Sequence, residues 1–423
     1  MHDHRKLGRE LGIFDTDPLI GAGLPYWLPA GAAIRHALEE YVRELERQAG
    51  YQHVYSPVLG KRELYEISGH WAHYRDGMYP PMAMSGGAGA AEQVVLRPSL
   101  CPHHALMFRA RARSYRDLPL RLAELGGQYR AELSGVLGGL SRVRAMQLND
   151  AHVFCAAEQV EAEAAAALAM IRQAHAALGI QPARYRLSLA GAGVTYAAGS
   201  GGSSAGTSTV AGSRASWDRA TAILEDVLAS AGIDYDAEQG EAAFYGPKID
   251  VQVADSAERE ASIATIQVDF FQPERFALGY VGSDGGRHRP VMIHRSIVGT
   301  AERMVAHLLE LHGGAFPPWL APVQLVALPV SDEQAPQAVQ LVRQAVELGM
   351  RAEMASEGSL AARIRDHRLV PYQLVIGKAE AAADQVSIRL RDGRKLPPVQ
   401  MAEALARINR QVGMCSPLLW ASE

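Results

Sequence analysis

The chain has 423 residues, which suggests two or three domains at the usual size of about 150 residues per domain. Its 42 basic and 46 acidic residues give a formal net charge of −4, so global basicity does not mark a nucleic-acid-binding protein and any phosphate-binding surface must be local. The cysteines Cys101, Cys155 and Cys415 lie too far apart to indicate a disulfide scaffold. No apolar run approaches the roughly 20 residues of a membrane span, so we expect a cytoplasmic protein without a membrane segment.

The first part of the chain predicts helices and extended segments that are separated by long loops. Apolar residues at helical spacing predict a helix over Ile34–Gln48, and Pro57 favours an extended segment over His53–Val58. Further along we expect extended segments over Leu118–Leu122 and Leu125–Glu132, a helix over Ala157–Leu178, a strand over Ser262–Phe270, and surface loops over Ser85–Ala91 and Gly191–Ser213. This pattern indicates an α+β fold with an antiparallel sheet flanked by helices.

A proline cluster, Pro317–Pro322, marks the boundary of a second domain. The elements predicted after it are strand Gln324–Pro329, helix Glu333–Leu348, helix Leu360–Arg368, strand Gln373–Ile376, strand Val386–Leu390 and helix Pro398–Gln411. They indicate a compact α/β domain of about 100 residues, so we expect domains over 1–320 and 321–423.

Cys101, His152 and His294 could together bind zinc. One thiolate and two imidazoles leave the fourth position of a tetrahedral ion open, which is typical of a site that binds a substrate. Their spacing is too wide to be diagnostic, however, and a small buried cysteine with two structural histidines is the alternative.

Arg130, Arg142, Arg144 and Arg303 are candidates for binding a nucleotide triphosphate, because arginine contacts phosphate or carboxylate in a bidentate way. A solvated surface is the alternative for each of them. The chain has no Walker loop and no glycine-rich dinucleotide motif after a strand, so a P-loop or Rossmann nucleotide site is not expected. The turn Phe244–Asp250, which leads into a predicted strand, is either a third part of this site or an ordinary surface turn.

Seven segments of the chain, in this order, resemble the catalytic and anticodon-binding parts of the threonyl-tRNA synthetases, a class II aminoacyl-tRNA synthetase family. They are MHDHRKLGRELG, SGHWAHYRDGMY, SYRDLPLRLAELG, NDAHVF, AFYGPKID, PVMIHRSIVGTAER and FPPWLAPVQ, and the similarity extends to about Ile408. The resemblance implies a class II catalytic domain with an antiparallel sheet, followed by an α/β anticodon-binding domain.

The resemblance also implies which residues bind the amino acid. The implied zinc ligands are Cys101, His152 and His294, with the zinc accepting the amino and hydroxyl groups of threonine. A metal that ligates a hydroxyl excludes valine far better than an apolar pocket does. The other implied active-site residues are Asp150 for the substrate hydroxyl, Tyr245 in the amino-acid pocket, and Gln267 and Lys248.

For ATP, the resemblance implies that Arg130 bridges the substrate carboxylate and the α-phosphate and that Arg303 binds the γ-phosphate. Glu132, Arg142 and Met146 fall at further ATP-contacting positions. The implied reaction is attack of the carboxylate on the α-phosphate, with Mg²⁺ accompanying ATP and cations offsetting the charge of the transition state.

Five positions depart from the family pattern. Met146 replaces an aromatic residue expected on adenine, and Leu148 replaces a polar residue expected near the amino acid. Ser99, His103 and Ser262 also differ from the residues usual at their positions. These departures bear on substrate choice and efficiency more than on zinc.

In the C-terminal domain the resemblance implies that Arg363 and Arg365 contact the anticodon, although a solvated helix is the alternative. The stretch after His367 is about two residues shorter than usual, which could alter anticodon specificity.

The resemblance as a whole implies a homodimer, formed through the segment near Pro57, that charges tRNA(Thr) with L-threonine. It further implies the absence of an editing domain and therefore mischarging with serine. Two alternatives are a paralogue that activates threonine for a carrier protein or a specialised pathway, and a catalytically silent regulatory paralogue.

Overall fold

The structure is a computed structural model that describes residues 2–84, 92–192, 195–197, 209–211, 213–255 and 258–420. The predicted loop over Ser85–Ala91 lies outside the described residues, as does most of the loop over Gly191–Ser213. Among the described residues no helix is long and apolar enough to cross a membrane.

The helices of the described residues are α1 His4–Glu10, α2 Pro29–Gln48, α3 Arg62–Ile67, α4 His70–His73, α5 Cys101–Arg109, α6 Val160–Leu178, α7 Arg214–Ser230, α8 Phe271–Arg275, α9 Ala301–His312, α10 Ala335–Glu347, α11 Leu360–Asp366, α12 Lys378–Ala382 and α13 Met401–Gly413.

The strands of the described residues are β1 Phe14–Asp15, β2 Tyr26–Trp27, β3 Gln52–His53, β4 Leu59–Lys61, β5 Met82–Met84, β6 Glu92–Leu96, β7 Leu120–Tyr129, β8 Ala145–Cys155, β9 Arg184–Leu189, β10 Thr195–Ala197, β11 Thr209–Ala211, β12 Tyr235–Gln239, β13 Lys248–Ala254, β14 Glu260–Asp269, β15 Tyr280–Val281, β16 Arg287–His288, β17 Val291–Ser296, β18 Leu325–Pro329, β19 Ala352–Met354, β20 Tyr372–Ile376, β21 Gln385–Leu390 and β22 Val399–Gln400.

An eight-stranded sheet forms the centre of the larger part of the molecule. Its strand order is β12-β9-β13-β14-β17-β8-β7-β3. The six inner strands pair antiparallel, whereas the two edge strands β12 and β3 pair parallel with their neighbours. Residues of α2, α6, α7 and α9 pack with one face of the sheet in a single apolar core. The predicted α+β fold with an antiparallel sheet is therefore confirmed.

A second sheet lies in the C-terminal part, with the order β19-β18-β20-β21-β22. Strands β19, β18 and β20 pair parallel, and β21 joins them antiparallel. Its apolar side chains form a core of their own with α10 and α13, which bury Leu341 and Leu405.

Most predicted elements occur, and their ends differ by a few residues. The helix predicted over Ile34–Gln48 begins earlier, at Pro29. The two extended segments predicted over Leu118–Glu132 are one strand, β7. Of the extended segment predicted over His53–Val58, only its first residue pairs in a strand, as part of β3. In the C-terminal part the short elements β19, α12 and β22 were not predicted, since each has too few residues to show a period. The longer elements α7, β8 and β17 were not predicted either.

Candidate active site

A cavity of about 680 Å³ lies over the face of the large sheet that is turned away from the apolar core, and Arg303 of α9 reaches it. The residues predicted for the site that line it are Arg130, Met146, Asp150, Tyr245, Lys248, Gln267, His294 and Arg303. Strands β8, β13, β14 and β17 supply most of them, so the site is built on paired backbone rather than on loops.

The register of the sheet places four of the predicted residues in one row. His152 of β8 is directly opposite His294 of β17, which is opposite Gln267 of β14, which is opposite Lys248 of β13. Side chains of directly opposed residues project from the same face of a sheet. The row therefore brings together residues that lie up to 142 positions apart in the sequence.

Cys101, His152 and His294 form a compact cluster at one end of this row. Cys101 begins α5, and its Sγ lies with one ring nitrogen of each histidine in a group whose ligand atoms are all within 4.8 Å of one another. All three side chains are buried. Gln272 Nε2 donates to the Cys101 sulfur at 3.3 Å, and Ser99 Oγ lies 3.0 Å from it.

One ring nitrogen of each histidine faces the other. His294 Nε2 lies 2.9 Å from Asp269 Oδ2, a carboxylate that can only accept, so the proton of a neutral His294 is on Nε2. Its unprotonated Nδ1 then faces His152 Nε2 at 3.1 Å. A proton or a metal ion must therefore lie between these two nitrogens.

The pKa values of the cluster agree with this need. Burial raises the pKa of Cys101, but the neighbouring His70 and His294 outweigh it and hold the pKa at about 5, so the sulfur is a thiolate. Burial lowers the pKa of His294, yet Asp269 and Cys101 raise it to about 10. A sulfur and two ring nitrogens that lie this close together are a donor set that fits Zn²⁺.

Asp150 lies beside this cluster. Its Oδ1 is 3.7 Å from His152 Nε2, and Gln128 Nε2 donates to its Oδ2 at 3.2 Å. Burial, with the Cys101 thiolate adding to it, raises the pKa of Asp150 to about 6. On the other side, the Tyr245 ring stacks on His294 with 4.6 Å between centroids, and its hydroxyl donates to Gln267 Oε1 at 2.7 Å. The cluster is thus enclosed by polar groups suited to an ammonium and a hydroxyl.

Tyr245 and Lys248 are positioned by a tight turn. A Cβ on Gly246 would lie 2.2 Å from the Val268 carbonyl oxygen, so only glycine permits this close approach. Lys248 then begins β13, and its Nζ donates to Asp250 Oδ2 at 2.7 Å. The same carboxylate oxygen accepts from Ser188 Oγ at 2.8 Å and Arg186 Nη2 at 3.1 Å, which fixes the lysine at the cavity wall.

Three arginines approach one another at the far end of the cavity. Burial and the positive charges of Arg130 and Arg142 lower the pKa of Arg303. Arg303 donates to the carbonyls of Ser141 and Ser262 at 3.2 and 3.0 Å, and the buried Nε of Arg130 has no hydrogen-bond partner among the described residues. Mutually repelling guanidinium groups with unused donors indicate an anion site.

Glu132 and Arg142 lie at the edge of this region and do not line the cavity. Arg142 is half exposed and donates through Nε and Nη2 to Glu132 Oε2, at 3.0 and 2.8 Å. In the C-terminal part, Arg365 is exposed, whereas Arg363 is buried and donates to the carbonyls of Pro329 and Ala355 at 2.7 and 2.8 Å. Both of these hydrogen bonds are made by Nη1, so the rest of the guanidinium keeps its donors.

Of the departures noted in the sequence, Met146, Leu148, Ser262 and Ser99 line the cavity. Met146, Leu148, Asp150 and His152 alternate along β8, so the wall changes from apolar to polar towards the cluster. His103 instead turns away and packs against Tyr65.

His70 and His73 also line the cavity, and sequence reasoning missed both. His70 is buried, with Nδ1 2.8 Å from Ser68 Oγ and Nε2 3.8 Å from the Cys101 sulfur. His73 stacks on Phe244 at 4.8 Å. The segment SGHWAHYRDGMY carries both, but nothing in its spacing distinguishes these two histidines from surface residues.

Comparisons with known proteins agree with this geometry. Residues 88–312 match the family described as the tRNA synthetase class II core domain (G, H, P, S and T), and residues 324–411 match the anticodon binding domain. A threonine–tRNA ligase of Lactobacillus helveticus is 45% identical over 391 residues, which cover 92% of this chain and 58% of that protein. The chain thus spans little more than half the length of such relatives.

Two solved structures are similar over nearly their whole length. One is described as the RNA binding domain of threonyl-tRNA synthetase from Cryptosporidium parvum, with 33% identity, a TM-score of 0.87 and coverage of 97% of this chain and 98% of that one. The other, a putative threonyl-tRNA synthetase from Aeropyrum pernix, has 26% identity, a TM-score of 0.81 and coverage of 99% and 98%. The chain belongs to the threonyl-tRNA synthetase family, among the class II synthetases that share this core domain.

Proposed function

We propose that this chain activates L-threonine with ATP to form threonyl-adenylate and transfers the threonyl group to the 3′ end of tRNA(Thr). The observation that carries the proposal is the buried Cys101, His152 and His294 cluster, which reaches through His294 a cavity that Arg130 and Arg303 also line. The cluster suits a β-hydroxy amino acid and the two arginines suit a triphosphate.

We propose that Zn²⁺ is held by Cys101, His152 and His294. When bound there, it would act as a Lewis acid for the amino and hydroxyl groups of the amino acid, and valine, which lacks the hydroxyl, could not match this. Asp150 accepts the hydrogen bond of the substrate hydroxyl, and Tyr245 and Gln267 close the pocket around the amino acid through their mutual hydrogen bond.

The chemical step joins the substrate carboxylate to the α-phosphorus and breaks the bond to the bridging oxygen, with pyrophosphate leaving. Arg130 holds the carboxylate and the α-phosphate together, which replaces a bimolecular encounter by a fixed geometry. Lys248 adds positive charge beside the reacting groups, and Arg303 holds the γ-phosphate, with Glu132, Arg142 and Met146 at the nucleotide edge. ATP enters as its Mg²⁺ complex. The clustered cations offset the charge that develops at phosphorus.

Further parts of the proposal concern the whole chain. We propose a catalytic domain over 1–320 and an anticodon-binding domain over 321–423, in which Arg365 and, after rearrangement, Arg363 contact the tRNA. The separate apolar core of the C-terminal part supports the division. We also propose a homodimer, formed through the segment near Pro57, and a cytoplasmic location, where charged tRNA is used.

Pyrophosphate exchange with threonine, serine and valine, followed by charging of a tRNA(Thr) transcript, tests the function. We expect exchange with threonine and serine, none with valine, and charging of the transcript. Exchange without charging would favour loading of another acceptor, and no exchange would favour a silent regulatory protein. Either result would contradict the proposal.

The metal assignment has its own test. Because the serine hydroxyl has a far higher pKa than a thiol and is a poor zinc ligand, Cys101→Ser should lose zinc and threonine-dependent exchange together. Zinc content by atomic emission and exchange measured on the same samples check this. Cys155→Ser, at a buried cysteine outside the cluster, is the matched control and should keep both. Exchange retained in a zinc-free Cys101→Ser protein would refute the assigned role.

A further inference from the structure

His152 has a second hydrogen bond that leads away from the cavity, through two residues that do not line it. His152 Nδ1 lies 2.8 Å from Nδ1 of His104, a residue of α5. His104 Nε2 lies in turn 3.3 Å from Glu124 Oε2, on β7. His104 and His152 are fully buried and Glu124 is 3% exposed, so water does not compete for these contacts.

The direction of each hydrogen bond follows from Glu124, the last residue in this series of contacts. Glu124 is paired with the buried Arg97, whose Nη2 donates to Oε1 at 3.1 Å, so Glu124 is an ionised carboxylate and can only accept. His104 must therefore donate from Nε2, and in its neutral form its Nδ1 is an acceptor. His152 then carries its proton on Nδ1 and presents the lone pair of Nε2 to the cluster.

We propose that His104 and Glu124 are positioning residues that fix the tautomer and ring orientation of His152 as a metal ligand. The proposal rests on the zinc site of the proposed function and adds the residues that prepare it. Groups hydrogen-bonded to the second nitrogen of a ligating histidine commonly change metal affinity by about 10-fold to 100-fold when they are removed. His152 is connected to a carboxylate only through His104, whereas His294 is hydrogen-bonded to the Asp269 carboxylate directly.

The contacts from His152 through His104 to Glu124 are called the relay below. The Glu124 carboxylate at its end is itself held by several hydrogen bonds. Ser56 donates to Glu124 from both its amide nitrogen, at 3.2 Å, and its hydroxyl, at 2.7 Å. Arg97 also donates from Nε to the Gly127 carbonyl and from Nη1 to the Pro57 carbonyl, at 2.6 and 3.2 Å. The relay thus extends from the metal cluster to the loop that contains Ser56 and Pro57.

A pair of substitutions at His104 separates the hydrogen bond from simple packing. The asparagine of His104→Asn can place an oxygen where Nδ1 was, so it still accepts from His152. The glutamine of His104→Gln places its amide where Nε2 was, so it reaches Glu124 and leaves His152 without an acceptor. We expect His104→Asn to bind Zn²⁺ nearly as tightly as the unmodified chain and His104→Gln to bind it about 10-fold to 100-fold more weakly.

Competition with a chromophoric chelator measures the Zn²⁺ affinity, and the visible absorption of the Co²⁺-substituted protein reports ligand geometry. His103→Gln is the matched control, since His103 is a buried neighbour on the same helix and packs against Tyr65 instead. It should leave both readouts unchanged. The proposal is overturned if His104→Gln binds Zn²⁺ like the unmodified chain, or if His104→Asn loses as much affinity as His104→Gln.

These results are distinguishable from a failure of the proposed function. A chain that binds Zn²⁺ with the expected order of variants but shows no threonine-dependent exchange supports the relay and contradicts the function. Threonine-dependent exchange with no difference among the His104 variants contradicts the relay alone. A chain that binds no Zn²⁺ overturns both.

Discussion

Glu302, in the first turn of α9, is a buried carboxylate with little charge to compensate it. Its Oε2 accepts from the Gln147 amide at 3.0 Å, and its nearest cation is Arg35, whose Nη1 is 4.0 Å away. Burial is the largest influence and raises the pKa of Glu302 from 4.5 to about 7, despite the backbone hydrogen bonds that lower it. The folded protein therefore binds this proton more tightly than the unfolded chain does.

Stability should fall as this group ionises. The contribution of Glu302 is fully present below pH 4.5, the value of the unfolded chain, and is lost as the pH rises through about 7. Relative to Glu302→Gln, we expect the unfolding free energy of the unmodified chain to drop by up to about 3 kcal/mol between pH 5 and pH 8. Urea unfolding at both pH values measures it. Parallel pH profiles would contradict the assignment, and Glu225→Gln, at an exposed carboxylate of α7, is the control.

Some individual site residues can be recognised from the sequence, and others cannot. Cys101, His152 and His294 could be proposed because their side chains have an obvious shared chemistry, although their spacing gave no support. His104 and Glu124 have equally suitable side chains, but their role depends on which strands are neighbours. Cross-strand register joins residues that are remote in sequence, and no local pattern records it.

Helix α2 is joined to the strands of the site by a buried polar network. Glu46 is fully buried, and its Oε1 accepts from Arg295 Nη1 and from Asn149 Nδ2, both at 2.8 Å. Asn149 precedes Asp150 on β8, and Arg295 follows His294 on β17. Because side chains alternate along a strand, one face of each strand contacts the helix and the other faces the cavity.

Removing the carboxylate of this network should be costly. Glu46→Ala leaves the Arg295 guanidinium buried without its ionic partner, and we expect a loss of about 3 to 5 kcal/mol in unfolding free energy. Denaturant unfolding measures it. Glu44→Ala, on the same helix, breaks an exposed pair with Arg47 and should have little effect. Equal effects of the two substitutions would contradict the structural role of Glu46.

The elements themselves were predicted unevenly. The interior of α2 shows the helical period, but its first turn, Pro29–Ala33, contains glycine and small residues and gives no periodic signal. That turn packs so closely that a Cβ on Gly31 would lie 1.9 Å from the Ile13 carbonyl oxygen. Proline and alanine favour the start of the helix at Pro29, and Gly31 permits the close contact, but neither gives an apolar period.

At the scale of the whole molecule, the loop near Pro57 has two sides. Ser56 points inward and donates to Glu124, whereas Tyr55, Val58 and Leu59 are exposed, at 76%, 40% and 39%. Large apolar side chains grouped on a surface are typical of a subunit contact. The proposed homodimer would cover them and would also hold the inward side of the loop in place.

A charge at the centre of this surface should therefore dissociate the dimer. We expect the unmodified chain to sediment as a dimer and Tyr55→Asp to shift it to monomer at the same concentration, because an interfacial carboxylate without a partner is costly to bury. Sedimentation velocity checks both. Leu19→Asp introduces the same charge at a residue that is 97% exposed elsewhere and should leave the mass unchanged. A monomeric unmodified chain, or a dimeric Tyr55→Asp variant, would contradict the proposal.

The row formed by His152, His294, Gln267 and Lys248 has one more consequence. Each of these residues belongs to a strand that is hydrogen-bonded on both sides, so its backbone is already immobile in the free protein. Little conformational entropy remains to be lost there when a ligand binds, and recognition at this end of the cavity is close to rigid. Selectivity between amino acids that differ by a few atoms then comes from a fixed shape rather than from a surface that adapts to each of them.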